Sequence, residues 1–404
     1  MDRQALIVAF VRWTWMRAFL HNGWWLVASV YMIIDAGLSA SQIVLIGSVQ
    51  GVFALLCEVP AGVLADTISR KWSLVLSQVL MGTAMLTTGL VTSFPLLMAT
   101  QALWGLSWTF ASGADIAWIT DELDQPDRIA AVLSRAARAQ LAGSATGLLA
   151  IGGLAWLTRR DIAVVVAGTA MLLLAFYLIV RFSEERFAGT RTARWSTSWS
   201  TFRRGLTLVR RSREILLIFL ATFLINGAAD AGGRLAPKQL LELGLPTAVD
   251  PIVWFTGLGF LALLIGTAAL RIAEKRVDGR HARHSYALAA AIGAAGMAAF
   301  AIAPEPISAS AALVIISGIA VPLTRIISAI WVNARTTSDV RATTHSFLAQ
   351  AEYLGEVTCG LAIAMIANLV GLSLALAGCA TLFALTAGLM RHRRTGRTAG
   401  EMPR

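Results

Sequence analysis

Charge is what this chain has least of. Asp, Glu, Lys and Arg make up 14% of its 404 residues, against about a quarter in soluble globular domains, which excludes a soluble fold. Lysine is confined to Lys71, Lys238 and Lys275, and cysteine to Cys57, Cys359 and Cys379. The cysteines lie singly inside apolar segments with no histidine at metal spacing, so they read as small core residues rather than as a disulfide framework or metal site. No glycine-rich loop closing on a lysine is present, which argues against direct drive by ATP. The acidic residues form no nucleophile or metal constellation, so an enzyme is the least favoured class. The N-terminus lacks a short apolar stretch followed by a small-residue cleavage site, and the first apolar segment is expected to stay as a span.

What the chain has in quantity is hydrocarbon, 57% of residues. Runs long enough to cross a bilayer fall at 12–35, 41–64, 73–93, 95–118, 132–157, 161–181, 214–236, 251–271, 285–303, 307–331, 346–369 and 371–390. The sequence therefore predicts an all-α membrane protein of twelve transmembrane helices. An even number of spans places both termini on one side. The loops of that side carry Arg70, Lys71, Arg128, the arginines between 181 and 213, Arg271, Lys275, Arg276, Arg280, Arg283, Arg335 and Arg341, with Arg391, Arg393, Arg394 and Arg397 in the tail. The opposite side has only Arg159, Arg160, Arg234 and Lys238, which makes the termini cytoplasmic by the positive-inside rule. The same distribution accounts for the net charge of +11 without a nucleic-acid partner, for which no aromatic-basic module is present.

The longest interruption, 182–213, separates a six-helix bundle over 1–181 from a second over 214–390, with a basic tail at 391–404. Within it Trp199, Phe202, Leu206 and Val209 recur at helical spacing among arginines, which predicts an amphipathic helix on the inner leaflet. A shift of 212 residues superposes Asp66 on Asp278, Asp127 on Asp339, Ser134 on Ser346 and Gly143 on Gly355, as a six-plus-six duplication would.

The stretch Glu58 to Lys71, EVPAGVLADTISRK, sits where the second apolar run gives way to the third. Its Gly62, Asp66, Arg70 and Lys71 resemble the loop signature of the major facilitator superfamily of secondary transporters, with Ser69 where that family usually has a second glycine. The resemblance implies two bundles that rock about a midplane site. It also implies a latch, in which Asp66 faces the positive end of a neighbouring helix, Arg70 binds acidic partners and Gly62 permits close helix approach. The flanking Glu58 to Asp66, with Ser112 to Asp115 and Thr120 to Leu123, is similar to bacterial branches of drug exporters. Drug:proton antiporters of that kind carry Arg four residues before a Gly of the fourth span, where this chain has Gln101 before Gly105.

Charges inside spans are costly and mark function or pairing. Asp115 is expected to pair with Arg135 and Arg138, and Asp230 with Arg234 one turn away. Asp35 either reaches the outer surface or joins the proton-coupling candidates Glu58, Glu352 and Glu356. For Glu58 the alternative is a hydrogen bond fixing the chain beside Pro60; for Glu356, pairing with Arg325, a role open equally to Glu352. A carboxyl at membrane depth that exchanges its proton as access alternates is what proton coupling needs.

Eleven of thirteen tryptophans precede residue 200, and Trp24, Trp25, Trp104 and Trp108 fall within the first and fourth spans. They form either an interfacial belt or an aromatic cavity wall for a flat or cationic molecule. His21, Asn22, Gln50, Asn226, Arg325 and Gln350 are the candidate polar contacts. The expectation is a monomeric exporter of small organic molecules in the bacterial plasma membrane, without cofactor and driven by the proton gradient. Uptake or facilitated diffusion of a metabolite is the alternative within the fold, and a non-transporting receptor or assembly partner the alternative outside it.

Overall fold

The computed structural model describes residues 3–187, 213–246, 248–277, 281–335 and 338–391. All regular structure among them is helical. The first half comprises α1 (Arg3–Ile34), α2 (Ala40–Thr67), α3 (Arg70–Thr88), α4 (Phe94–Ala111), α5 (Ala114–Leu123), α6 (Pro126–Leu157) and α7 (Arg160–Arg181). The second comprises α8 (Arg213–Glu242), α9 (Pro251–Arg276), α10 (Ala282–Ala301), α11 (Pro306–Ile315), a π-helical turn (Ile316–Ala320), α12 (Val321–Arg335), α13 (Ser338–Leu369) and α14 (Leu372–Arg391). Counting α4 with α5, and α11 with the π turn and α12, as single interrupted helices, the described residues form twelve helices. Among the described residues eight helical segments satisfy length and hydropathy for a membrane span, one of them the continuous run of α11, the π turn and α12. The amphipathic helix expected around Trp199 to Val209 lies outside the described residues, as does Asp278.

Helix ends are set by local chemistry. Ser39 and Gln42 form a capping box at α2, Ser69 caps α3, and Asp250 with Pro251 starts α9. The fourth span breaks because Gly113 adopts φ 73°, a left-handed conformation that side chains resist. It ends α4 at Ala111 and re-aims α5. The π turn in the tenth span packs on α9, where Gly318 approaches Ala262.

Two crossings organise the two halves alike. On α6 a Cβ at Gly143 would stand 2.3 Å from the carbonyl oxygen of Trp15 on α1, and one at Gly147 2.0 Å from that of Phe19. On α13 a Cβ at Gly355 would stand 2.1 Å from the carbonyl oxygen of Phe223 on α8. Backbones touch there because only glycine leaves room. The superposition of Gly143 on Gly355 thus has a structural counterpart: the fifth helix crosses the first as the eleventh crosses the seventh.

Between the halves, α2 packs on α13 and α8, and α6 on α9. The glycine approaches that join them run from mid-depth to the end remote from the termini: Gly51 on Val357, Gly47 on Arg234, Gly360 on Ser48 and Gly152 on Thr256.

Candidate functional site

The signature loop is built into the first half. Arg70, at the start of α3, reaches back to α5, where its guanidinium meets the Asp121 carboxylate and donates to the Ala117 carbonyl at 3.2 Å. It also pairs with Asp66 one turn earlier at 3.6 Å. Ser69, in the place of the family's second glycine, caps α3 by accepting from Trp72 N at 3.0 Å and hydrogen-bonds the Glu184 carboxylate. Glu184 also accepts from Lys71 N at 2.9 Å, so an acid from beyond α7 closes the N-terminus of α3. Lys71 Nζ donates to the Ile179 carbonyl. The close approach expected at Gly62 does not occur: no described atom lies within 4 Å of where its Cβ would be. The reason is that α2 stands clear of its neighbours at this end, leaving Leu56, Val59 and Leu64 exposed.

The segments 58–66 and 112–123, remote in sequence, meet here. Ser112 Oγ donates to Glu58 Oε1 at 2.7 Å, at the break between α4 and α5. The other Glu58 oxygen is buried and bonds no group among the described residues.

At mid-depth an aromatic column crosses the first half. The Arg17 guanidinium lies 4.6 Å above the Trp108 ring. His21 meets Trp108 edge-on at 5.3 Å and stacks on Trp104 at 5.3 Å. Trp104 stacks on Trp25 at 5.6 Å, and the Arg234 guanidinium of the second half lies 5.0 Å from the Trp25 ring. These tryptophans therefore stack inside the protein rather than forming an interfacial belt. Trp25 and Asn22 border a cavity of about 440 Å³ between the halves, walled by α1, α6, α8, α9 and the helix segments around the π turn. Small-molecule sites run from about 300 to 1,000 Å³. Asn22 and Asn226 each donate to a carbonyl one turn back in their own helix, and Arg325 is exposed. Gln350 is half-buried on α13.

Arg234 ties the halves together. Its Nε donates to both oxygens of Asp230, at 3.0 and 2.9 Å, and its Nη2 to Gln50 Oε1 on α2 at 3.0 Å. Gly47 makes room for it, since a Cβ there would stand 2.2 Å from Arg234 Nε. Glu356 lies beside this group, its Oε2 3.6 Å from where a Cβ on Gly51 would sit, and interacts with the charges of Asp230, Arg234, Glu352 and Arg325.

Two further expectations are corrected. Asp115 does not pair with Arg135 and Arg138, which are exposed on α6; the opposite charge it interacts with is Arg17 of α1. Comparable depth on adjacent helices does not fix rotation about the helix axis. Asp35 is no candidate for the buried set, because Arg160 grips it in a bidentate pair at 2.6 and 3.1 Å where α1 ends and α7 begins. Gln101 is buried against α3, its amide 3.5 Å from Thr88 Oγ1. Sequence reasoning assigned no role to Arg17, Asp121, Glu184 or Ser112; Arg17 is a charge inside the first span, and Ser112 and Asp121 lie in the segments Ser112 to Asp115 and Thr120 to Leu123 that carry the family resemblance.

No curated protein matches the chain significantly. Among solved structures, a point mutant of the nucleoside transporter NupG aligns with a TM-score of 0.79 at 13% identity, covering 96% of this chain and 100% of that one. A point mutant of the peptide transporter POT gives 0.75 at 11%, covering 96% and 97%. A bacterial homologue of the human lysosomal transporter Spinster, inward-facing and unoccupied, gives 0.68 at 15%, covering 96% and 94%. At such identities these likenesses establish the fold. The Major Facilitator Superfamily model matches residues 14–358, and with the signature loop and the paired glycine crossings in place, the chain belongs to that superfamily of multi-pass membrane transporters.

Proposed function

We propose that this protein exports small organic molecules across the bacterial plasma membrane in exchange for protons, by alternating access. The observation that carries the reading is the charged group joining the halves at mid-depth. Asp230 is paired with Arg234, which reaches Gln50 of α2, and the charges of Glu352 and Arg325 bear on Glu356 beside them. With Glu356 protonated and the other two acids ionised, the group is neutral. When Glu356 also ionises, one uncompensated negative charge remains against α2 in a medium of low dielectric, where such a charge is costly. Proton release therefore favours parting of the halves at the end where Gly47, Gly51 and Gly360 now hold them together.

The arginine distribution makes that end the outer one and the termini cytoplasmic. Protonated Glu356 then holds the inward-facing form, proton loss to the cytoplasm permits the outward swing with substrate, and reprotonation outside returns the carrier. Members of this family are carriers rather than enzymes, and all parts of this cycle are side chains of the chain itself. A second reading, metabolite uptake, is favoured by the similarity of fold to nucleoside and peptide transporters.

The test is flux in reconstituted vesicles. Glu356→Gln should retain substrate exchange at equal pH and lose pH-gradient-driven accumulation. A variant that still concentrates substrate against a proton gradient would remove Glu356 from coupling.

A further inference from the structure

We infer that the transported molecule carries an anionic group, and that Arg17, His21, Trp104 and Trp108 receive it. The inference rests on the transport reading above and specifies its substrate class. Five nitrogens of these four side chains are buried and hydrogen-bond to no group among the described residues: Arg17 Nε and Nη2, His21 Nε2, Trp104 Nε1 and Trp108 Nε1. Contacts of 4.6 to 5.5 Å between the rings and the guanidinium gather them in one place. Four of the five can only donate, whereas His21 Nε2 donates or accepts according to tautomer. Buried polar groups in folded proteins are nearly always partnered. A cluster of donors lacking acceptors is chemically matched to carboxylate, sulfonate or phosphate oxygens. Asp115 is the counter-charge felt by Arg17, but no ion pair joins them within bonding distance, so the guanidinium edge is not consumed.

The aromatic faces give the complementary argument. An organic cation needs an open ring face. Here the Trp108 face carries Arg17 and the Trp25 ring carries Arg234, while Trp104 is stacked between His21 and Trp25. Both ends of the column are thus already cationic. Trp25, stacked on Trp104, borders the cavity and is the column's contact with it.

A matched naphthalene series separates the possibilities: 2-naphthoate, 2-naphthamide and 2-naphthylmethylamine, titrated calorimetrically into the purified full-length protein. The acid should bind at least tenfold more tightly than the amide, and the amine most weakly. Arg17→Gln should bring the acid to the amide's affinity while leaving the amide unchanged. Trp108→Phe, which keeps the ring and deletes one donor, should weaken the acid several-fold and spare the amide. Tightest binding of the amine, an acid preference that survives Arg17→Gln, or no binding by any of the three would overturn the inference. Flux in vesicles distinguishes the two readings. Carried flux of the amine with no preference for the acid leaves transport standing and sinks the anion site. Acid binding that depends on Arg17 but gives no carried flux leaves the anion site standing and sinks transport.

Discussion

At the residue scale, burial makes Arg234 the most consequential side chain. It is 5% exposed and Asp230 19%, so removing one partner leaves the other charge uncompensated. Breaking a buried pair costs about 3–5 kcal/mol, and replacing both partners costs much less. Arg234→Gln should therefore lower thermal stability more than the double variant Asp230→Asn with Arg234→Gln, measured in the same detergent. Equal melting temperatures would show that the pair is solvated. This pair was legible in sequence because its partners are four apart on one helix. Arg70 with Asp121, Asp35 with Arg160 and Ser69 with Glu184 were not, because 51, 125 and 115 positions separate them and only the assembled bundle brings them together. The mispairing of Asp115 has a related origin: position along the sequence does not fix helix rotation, which turns Arg135 and Arg138 outward.

At the scale of the element, apolar run length located the spans well because a backbone in lipid must satisfy its hydrogen bonds within a helix. It could not show the break at Gly113 or the π turn at Ile316–Ala320, which hydropathy does not register. Two predictions belong here. Glu184→Ala removes the acceptor for Lys71 N and the partner of Ser69, each a hydrogen bond to a charged group of about 1.5–3 kcal/mol. Amide exchange should then accelerate in the first turn of α3, with α2 unchanged. Gly355→Val would drive a side chain into the carbonyl oxygen of Phe223, and overpacking of this kind costs about 1–3 kcal/mol. The same substitution at Gly143 should destabilise comparably, as expected if both crossings descend from one duplicated unit; tolerance at one site alone would contradict their equivalence.

At the scale of the whole molecule, the halves must separate where they now touch if access alternates. Gly360 on α13 faces Ser48 on α2, with 3.8 Å between the Ser48 Cβ and the position a Cβ would take at 360. That is the mean Cβ separation of a disulfide, about 3.8 Å. In a background with Cys57, Cys359 and Cys379 replaced, Ser48→Cys with Gly360→Cys should cross-link under mild oxidation. Transport should stop and return on reduction. Undiminished flux through the fully oxidised protein would rule out rocking at this contact.

The tryptophan column has an optical consequence. Indole rings of Trp24, Trp25, Trp104 and Trp108 lie with centroids 5.5 to 6.5 Å apart, close enough for their excited states to mix and to share energy. Because α1 supplies two of these rings and α4 the other two, their collective near-ultraviolet circular dichroism reports the alignment of those helices without any added label. The second half contributes only Trp254 and Trp331 to the protein's emission, so intrinsic fluorescence is a nearly one-sided witness to how the first half responds when the carrier turns.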